Sequence, residues 1–127
     1  TLIFSKNKRN IKLHFDIFHG DGNLESAINL LDEKERAGFR KYINTETAFH
    51  PHHMFICKKE YLKRYYEIIF PWLQRCEKLF GFDLKGYGMR RIYGFLAERF
   101  LSYWFSKNCK IKVLPIVFKD ISDYKDL

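Results

Sequence analysis

The stretch from Arg91 to Phe105, RIYGFLAERFLSYWF, constrains the fold more than any other. A surface helix shows one apolar stripe, but here Ile92, Phe95, Leu96, Phe100, Leu101, Tyr103, Trp104 and Phe105 cover most of the circumference. The pattern predicts a buried helix over about residues 90–108. At its centre stand Glu98 and Arg99, and a buried carboxylate and guanidinium cost several kcal/mol per ion unless paired and hydrogen-bonded. The pair must therefore face partners, a cleft or a ligand. Successive residues on a helix point about 100° apart, so Arg91, two turns back, is the alternative partner for Glu98 if both side chains extend.

Around this helix the chain reads as one domain over residues 1–127, long enough to bury a real core. The aromatic share of 18% points to a core or cleft built from rings. Residues 1–10 read as a solvated arm. IKLHFDIF, residues 11–18, alternates apolar with polar side chains and predicts a half-buried strand. Gly20 and Gly22 break the chain, Asn23 is a candidate cap, and helices follow from Leu24 and over 32–43. HMFICKK, from His53, predicts a short buried strand. Leu62, Tyr65, Tyr66, Ile69, Leu73, Cys76 and Phe80 recur at helical steps, so a long helix spans about 59–80 and stops at Gly81, with Pro71 predicting a kink or two abutting helices. KIKVLPIVF predicts an edge strand, because Pro115 cannot donate to a ladder. Residues 120–127 read as a polar tail. The expected class is α+β, with three or four helices packed on a small sheet and the helix at about 90–108 buried in the middle.

A formal charge of +8 favours acidic partners, among them nucleotide diphosphates, nucleic acid and anionic headgroups. Cys57, Cys76 and Cys109 lack metal-type spacing and read as reduced thiols, which places the chain in the cytosol. No run approaches the roughly 20 apolar residues of a membrane span, so the chain is soluble or peripheral. It begins at Thr1 without an initiator Met and reads best as a piece of a longer chain.

His50, His52 and His53 could seed a metal site, but the ligand set is incomplete and no Asp-x-Asp occurs, so no metal ligand is assigned. His53 leads into the predicted strand and is the best placed of the three; His14 and His19 could approach it. Glu98 is either a general base or sugar-hydroxyl ligand, or half of a structural ion pair. Arginines suit phosphate because the guanidinium fork matches two phosphate oxygens. The basic residues Lys58, Lys59, Lys63, Arg64, Arg90, Arg91, Lys107, Lys110 and Lys112 are dispersed and mixed with acids, which argues against nucleic acid.

HMFICKKEYLKRYYEIIFPWL, RIYGFLAERFLSYWF and KIKVLPIVF together resemble a family of bacterial glycosyltransferases from capsular-polysaccharide and lipopolysaccharide clusters, long catalogued as a domain of unknown function. Members show Asn-Met-Phe-Ile before a Lys-rich helix start, a Phe/Trp-rich helix, a Gly-Phe-Leu-x-Glu-Arg helix and a terminal Leu-Pro-Val strand. The matching positions are His53 to Ile56, Lys58-Lys59, Pro71 to Leu73, Gly94 to Arg99, Trp104 and Leu114 to Ile116. His53 replaces the usual Asn. The resemblance runs over about residues 50–118, more weakly from His14, and implies the C-terminal part of such an enzyme; the family's N-terminal half has no counterpart here. It implies transfer of a sugar from a nucleotide-sugar donor to a surface-glycan acceptor, in the cytoplasm or peripheral to the inner membrane face. The cofactor stays open, a divalent cation such as manganese or magnesium being the candidate. Glu98 would be catalytic, Arg91 and Arg99 would stabilise the departing diphosphate, and His53 and Trp104 would contact substrate. The alternative is a non-catalytic binding module for glycan, a protein partner or nucleic acid.

Overall fold

The computed structural model describes Ile3–Phe4 and residues 9–120; the arm reading for 1–2 and 5–8 and the tail reading for 121–127 fall outside. The order is β1 (Ile3–Phe4), α1 (Ile11–His19), α2 (Asn23–Ile28), α3 (Glu33–Thr45), β2 (Ala48–Phe49), α4 (Lys59–Phe80), α5 (Tyr87–Arg90) and α6 (Ile92–Asn108). The protein is mostly helical. Among the described residues the only strand pairing is antiparallel and two residues long, Ile3 with Phe49 and Phe4 with Ala48. This corrects the expected helices-on-a-sheet class and draws part of the supposed arm into a pairing.

The largest correction is α1, read as a strand. IKLHFDIF satisfies two periods at once, but Ile11, Phe15 and His19, four residues apart, are the buried ones, while Leu13, Ile17 and Phe18 are exposed. Asn10 begins the helix, its Oδ1 accepting the Leu13 N–H at 2.8 Å. Asn23 is no cap: Gly22, at φ 78°, holds that position, and the Asn23 amide donates to the His19 carbonyl at 2.8 Å.

Residues 54–58 and 110–120 are also not strands. A strand needs a paired neighbour, and among the described residues neither segment pairs with a strand. In the first segment Phe55 packs against Tyr65 and Phe105 and Cys57 is half-buried, while Ile56 points fully outward.

α4 continues unbroken through Pro71. Both halves are anchored in the core, Tyr65, Ile68 and Ile69 before the proline and Trp72 and Cys76 after it, so burial holds the helix across the lost hydrogen bond. α4 and α6 run antiparallel: Tyr93, near the start of α6, donates to the Gly81 carbonyl that ends α4, and Arg64 near the start of α4 donates to Asn108 at 3.3 Å. α6 is buried along its length, as its composition requires. The cover of α1 to α3 is tied on by polar contacts. Trp72 Nε1 donates to the Ala27 carbonyl at 2.7 Å, Arg75 reaches the Leu30 carbonyl and Asp32, and Glu35 accepts from Tyr103 and Lys107, both at 3.1 Å.

Candidate functional site

Arg99 is 2% exposed, which makes it the most deeply buried charge described. Its position follows from the helix: Ile92, Leu96, Phe100 and Tyr103 face the core, and Arg99 lies on the adjoining face, turned toward α1 and β2. Phe49 lies under the guanidinium at 4.3 Å, with Phe15 at 5.3 Å and Phe95 at 5.8 Å, an arrangement in which ring faces replace part of the lost hydration. Nη1 donates to the Phe95 carbonyl at 3.1 Å and meets Glu98 Oε2 at 3.4 Å. Long side chains thus bring the sequence neighbours together despite their divergent directions. Nε is buried with no partner among the described residues.

Nη2 faces two imidazoles, His14 Nδ1 at 3.3 Å and His19 Nε2 at 3.4 Å. A guanidinium can only donate, so both ring nitrogens must accept, and both rings are neutral there. The tautomers follow and are opposite. His14 carries its proton on Nε2, whereas His19 carries it on Nδ1 and donates to the Gly88 carbonyl at 3.0 Å. Electrostatics agree: burial first and Arg99 second lower both pKa values, that of His19 to about 4. His19 also stacks on Phe95 at 4.0 Å. Gly88 is required at its position, because a Cβ there would run into the Phe18 carbonyl oxygen.

Glu98 stands at the rim, its side chain 16% exposed. His53 lies within electrostatic reach: desolvation lowers its pKa and Glu98 opposes that shift. The segment carrying it is pinned to α6, where the His50 N–H donates to Ser102 Oγ at 2.9 Å. Of the five residues expected to act together the structure brings Glu98 and Arg99 into contact and leaves His53 exposed within electrostatic reach of Glu98, while His14 and His19, expected near His53, meet Arg99 instead. Helical spacing in α1 places His19 on the buried stripe with Ile11 and Phe15 but sets His14 about 140° away, so it signals only one of the two histidines.

Arg91 and Trp104 lie elsewhere. Arg91 does not reach Glu98; it is exposed between α5 and α6, donates to Tyr87 Oη at 2.6 Å and covers the Tyr87 and Phe95 rings. Trp104 is 1% exposed and packs on Tyr65 and Phe105, so its ring belongs to the core and not to a surface open to substrate.

The donor chemistry does not fit a divalent cation at this cluster. Arg99 supplies positive charge, the imidazole lone pairs facing it are occupied, and among the described residues Glu98 is the sole carboxylate in contact with Arg99. Among the described residues no group of three or more His, Cys, Asp or Glu side chains is placed to hold a metal, and no helix is long and apolar enough to cross a membrane.

No curated protein and no solved structure gives a significant match to the chain. A family profile does, over residues 2–109, which include every residue of the cluster. The chain belongs to the family described as Domain of unknown function (DUF4422).

Proposed function

We propose that this chain is part of a glycosyltransferase that moves a sugar from a nucleotide-sugar donor to a glycan acceptor in bacterial surface-polysaccharide assembly. The resemblance of Gly94 to Arg99 and its flanking segments suggests this class. The observation that carries it to a site is the rim position of Glu98, a carboxylate held against a fully buried guanidinium. In this reading Glu98 takes the proton of the acceptor hydroxyl as its oxygen attacks the anomeric carbon, and the bond to the donor diphosphate breaks. Arg99 orients Glu98 and, from below, contributes positive potential without changing its own protonation. Arg91, exposed on its aromatic shelf, receives the departing diphosphate, and His53 flanks the acceptor.

An NMR titration with uridine and guanosine diphosphates, with and without manganese, tests the donor side. Saturable shifts centred on Arg91, Glu98 and Arg99 are expected, and silence with every nucleotide would defeat the assignment. Glu98→Gln separates chemistry from structure. Lost transfer with unchanged stability supports the base role, whereas lost stability with unchanged transfer makes Glu98 a structural partner of Arg99.

A further inference from the structure

Basic residues scattered through the sequence converge at one end of the fold. Because α4 and α6 are antiparallel, the start of one meets the end of the other: the Arg64 guanidinium lies 5.6 Å from the Trp104 ring, and Phe55 packs on Phe105 at 5.0 Å. The segments that meet, residues 54–64 and 107–113, hold seven basic residues and a single acid, Glu60. Lys107 is engaged by Glu35 of α3. Lys58, Lys59, Lys63, Lys110 and Lys112 are exposed. The same end bares aliphatic side chains between the lysines, Ile56 at 98%, Met54 at 64% and Val113 at 57% exposure.

We propose that this end of the molecule docks on the surface of an anionic lipid bilayer, the lysines among the headgroups and Ile56, Met54 and Val113 at the acyl boundary. The pairing of cations with bare aliphatics is what selects a bilayer. Lysine is a compact point charge on a flexible stem that needs no directional acceptor, which suits a fluid anionic surface, and exposed apolar side chains gain by leaving water there. A nucleic-acid surface would use arginine forks and exposed rings for stacking. Here six of the seven basic residues are lysines, the one arginine, Arg64, lies over the Tyr61 and Trp104 rings and donates to Asn108, and Ile56, Met54 and Val113 are bared more fully than the Tyr66 ring beside Lys63, at 42%.

Flotation of the whole chain with vesicles tests this, using phosphatidylcholine containing about one-third phosphatidylglycerol against phosphatidylcholine alone, at low and high salt. The chain should float with the anionic vesicles, stay behind with the neutral ones, and be released by salt. Replacing Lys58, Lys59, Lys110 and Lys112 together by Glu should reduce partitioning at least tenfold; two of these sit at a helix N-terminus, where acids suit the dipole, and two in irregular backbone, so folding is spared. Ile56→Ser should weaken partitioning severalfold with an unchanged circular dichroism spectrum. No flotation with anionic vesicles, or equal flotation with both kinds, overturns the proposal. So does tighter binding to a short DNA duplex that loses affinity in the Glu variant but ignores Ile56→Ser, which would make the surface a nucleic-acid one.

Discussion

Acidification should destabilise this protein through His19. In the unfolded chain the imidazole binds a proton below about pH 6.5. In the fold it does so only below about 4, because it is buried against Phe15 and Phe95, faces the Arg99 guanidinium from α6 and has His14 beside it, while the Gly88 carbonyl from α5 only partly opposes these effects. Between the two values the unfolded state holds more protons, so stability is fully present above pH 6.5 and falls as pH drops toward 4. Integrating that difference from pH 7 to pH 4.5 gives a loss of about 2.5 kcal/mol from this residue. His14, His50 and His53 are shifted in the same direction and add to the total, so the assay must isolate His19. His19→Phe keeps a ring on Phe95 but leaves the Gly88 carbonyl and one Arg99 donor unpaired, which costs about 1–3 kcal/mol at pH 7. Urea unfolding of both proteins at pH 7 and pH 4.5 should show that gap shrinking by about 2.5 kcal/mol, enough to close or reverse it. A gap that is the same at both pH values would refute the argument, since His19 would then take its proton as easily folded as unfolded.

Three further perturbations probe the same packing. Arg99→Met removes the charge that helps hold the two imidazoles neutral, so an NMR titration should find the pKa values of His14 and His19 raised, although burial still keeps His19 below the ordinary value. Tyr65→Phe deletes a buried hydroxyl that has no partner among the described residues and whose pKa burial pushes up; urea unfolding should show a gain of about 1 kcal/mol, and an equal loss would mean the hydroxyl is satisfied. Gly88→Ala sets a methyl against the Phe18 carbonyl and forces α5 away from α1, so stability should fall by about 2 kcal/mol and the protected His19 Nδ1 proton should disappear from the NMR spectrum.

The helices that carry the fold were legible because each shows its period over many turns. α4 and α6 appear close to their expected bounds, and of the two alternatives at Pro71 the abutting helices are not found, since anchoring on both sides keeps α4 one helix. α1 was not legible by alternation alone: nine residues are too few to separate a step of two from a step of four, and the deciding sign was the Asn10 cap. The segments at 54–58 and 110–118 have strand composition, but a strand is defined by a neighbour that local sequence does not name. In the cluster, Glu98 and Arg99 stood out as charges in an apolar helix. Their partners His14 and His19 stood out only as possible neighbours of His53: five residues apart on a helix they point about 140° apart, so no shared face marks them, and it is Arg99 that joins them. Trp104 shows the opposite limit, a ring whose residue type suits a site and whose place among Tyr65 and Phe105 makes it core.

Arg99 also explains why α1, β2 and α6 meet at all. Its guanidinium is a buried cation whose nearest carboxylate is 3.4 Å away and half turned to the rim, so the ion pair alone cannot offset its desolvation. The remainder comes from the Phe95 carbonyl, two imidazole lone pairs and the faces of Phe15 and Phe49, which belong to three different elements. Each of those contacts fails if its element shifts, so the cation acts as a gauge of their mutual placement. Glu98 inherits that rigidity, because its carboxylate meets Nη1 of a guanidinium that the Phe95 carbonyl, two imidazoles and two rings already hold. A ligand that neutralised or displaced Glu98 would therefore be felt in α1 through His14, without any movement of the α4–α6 core.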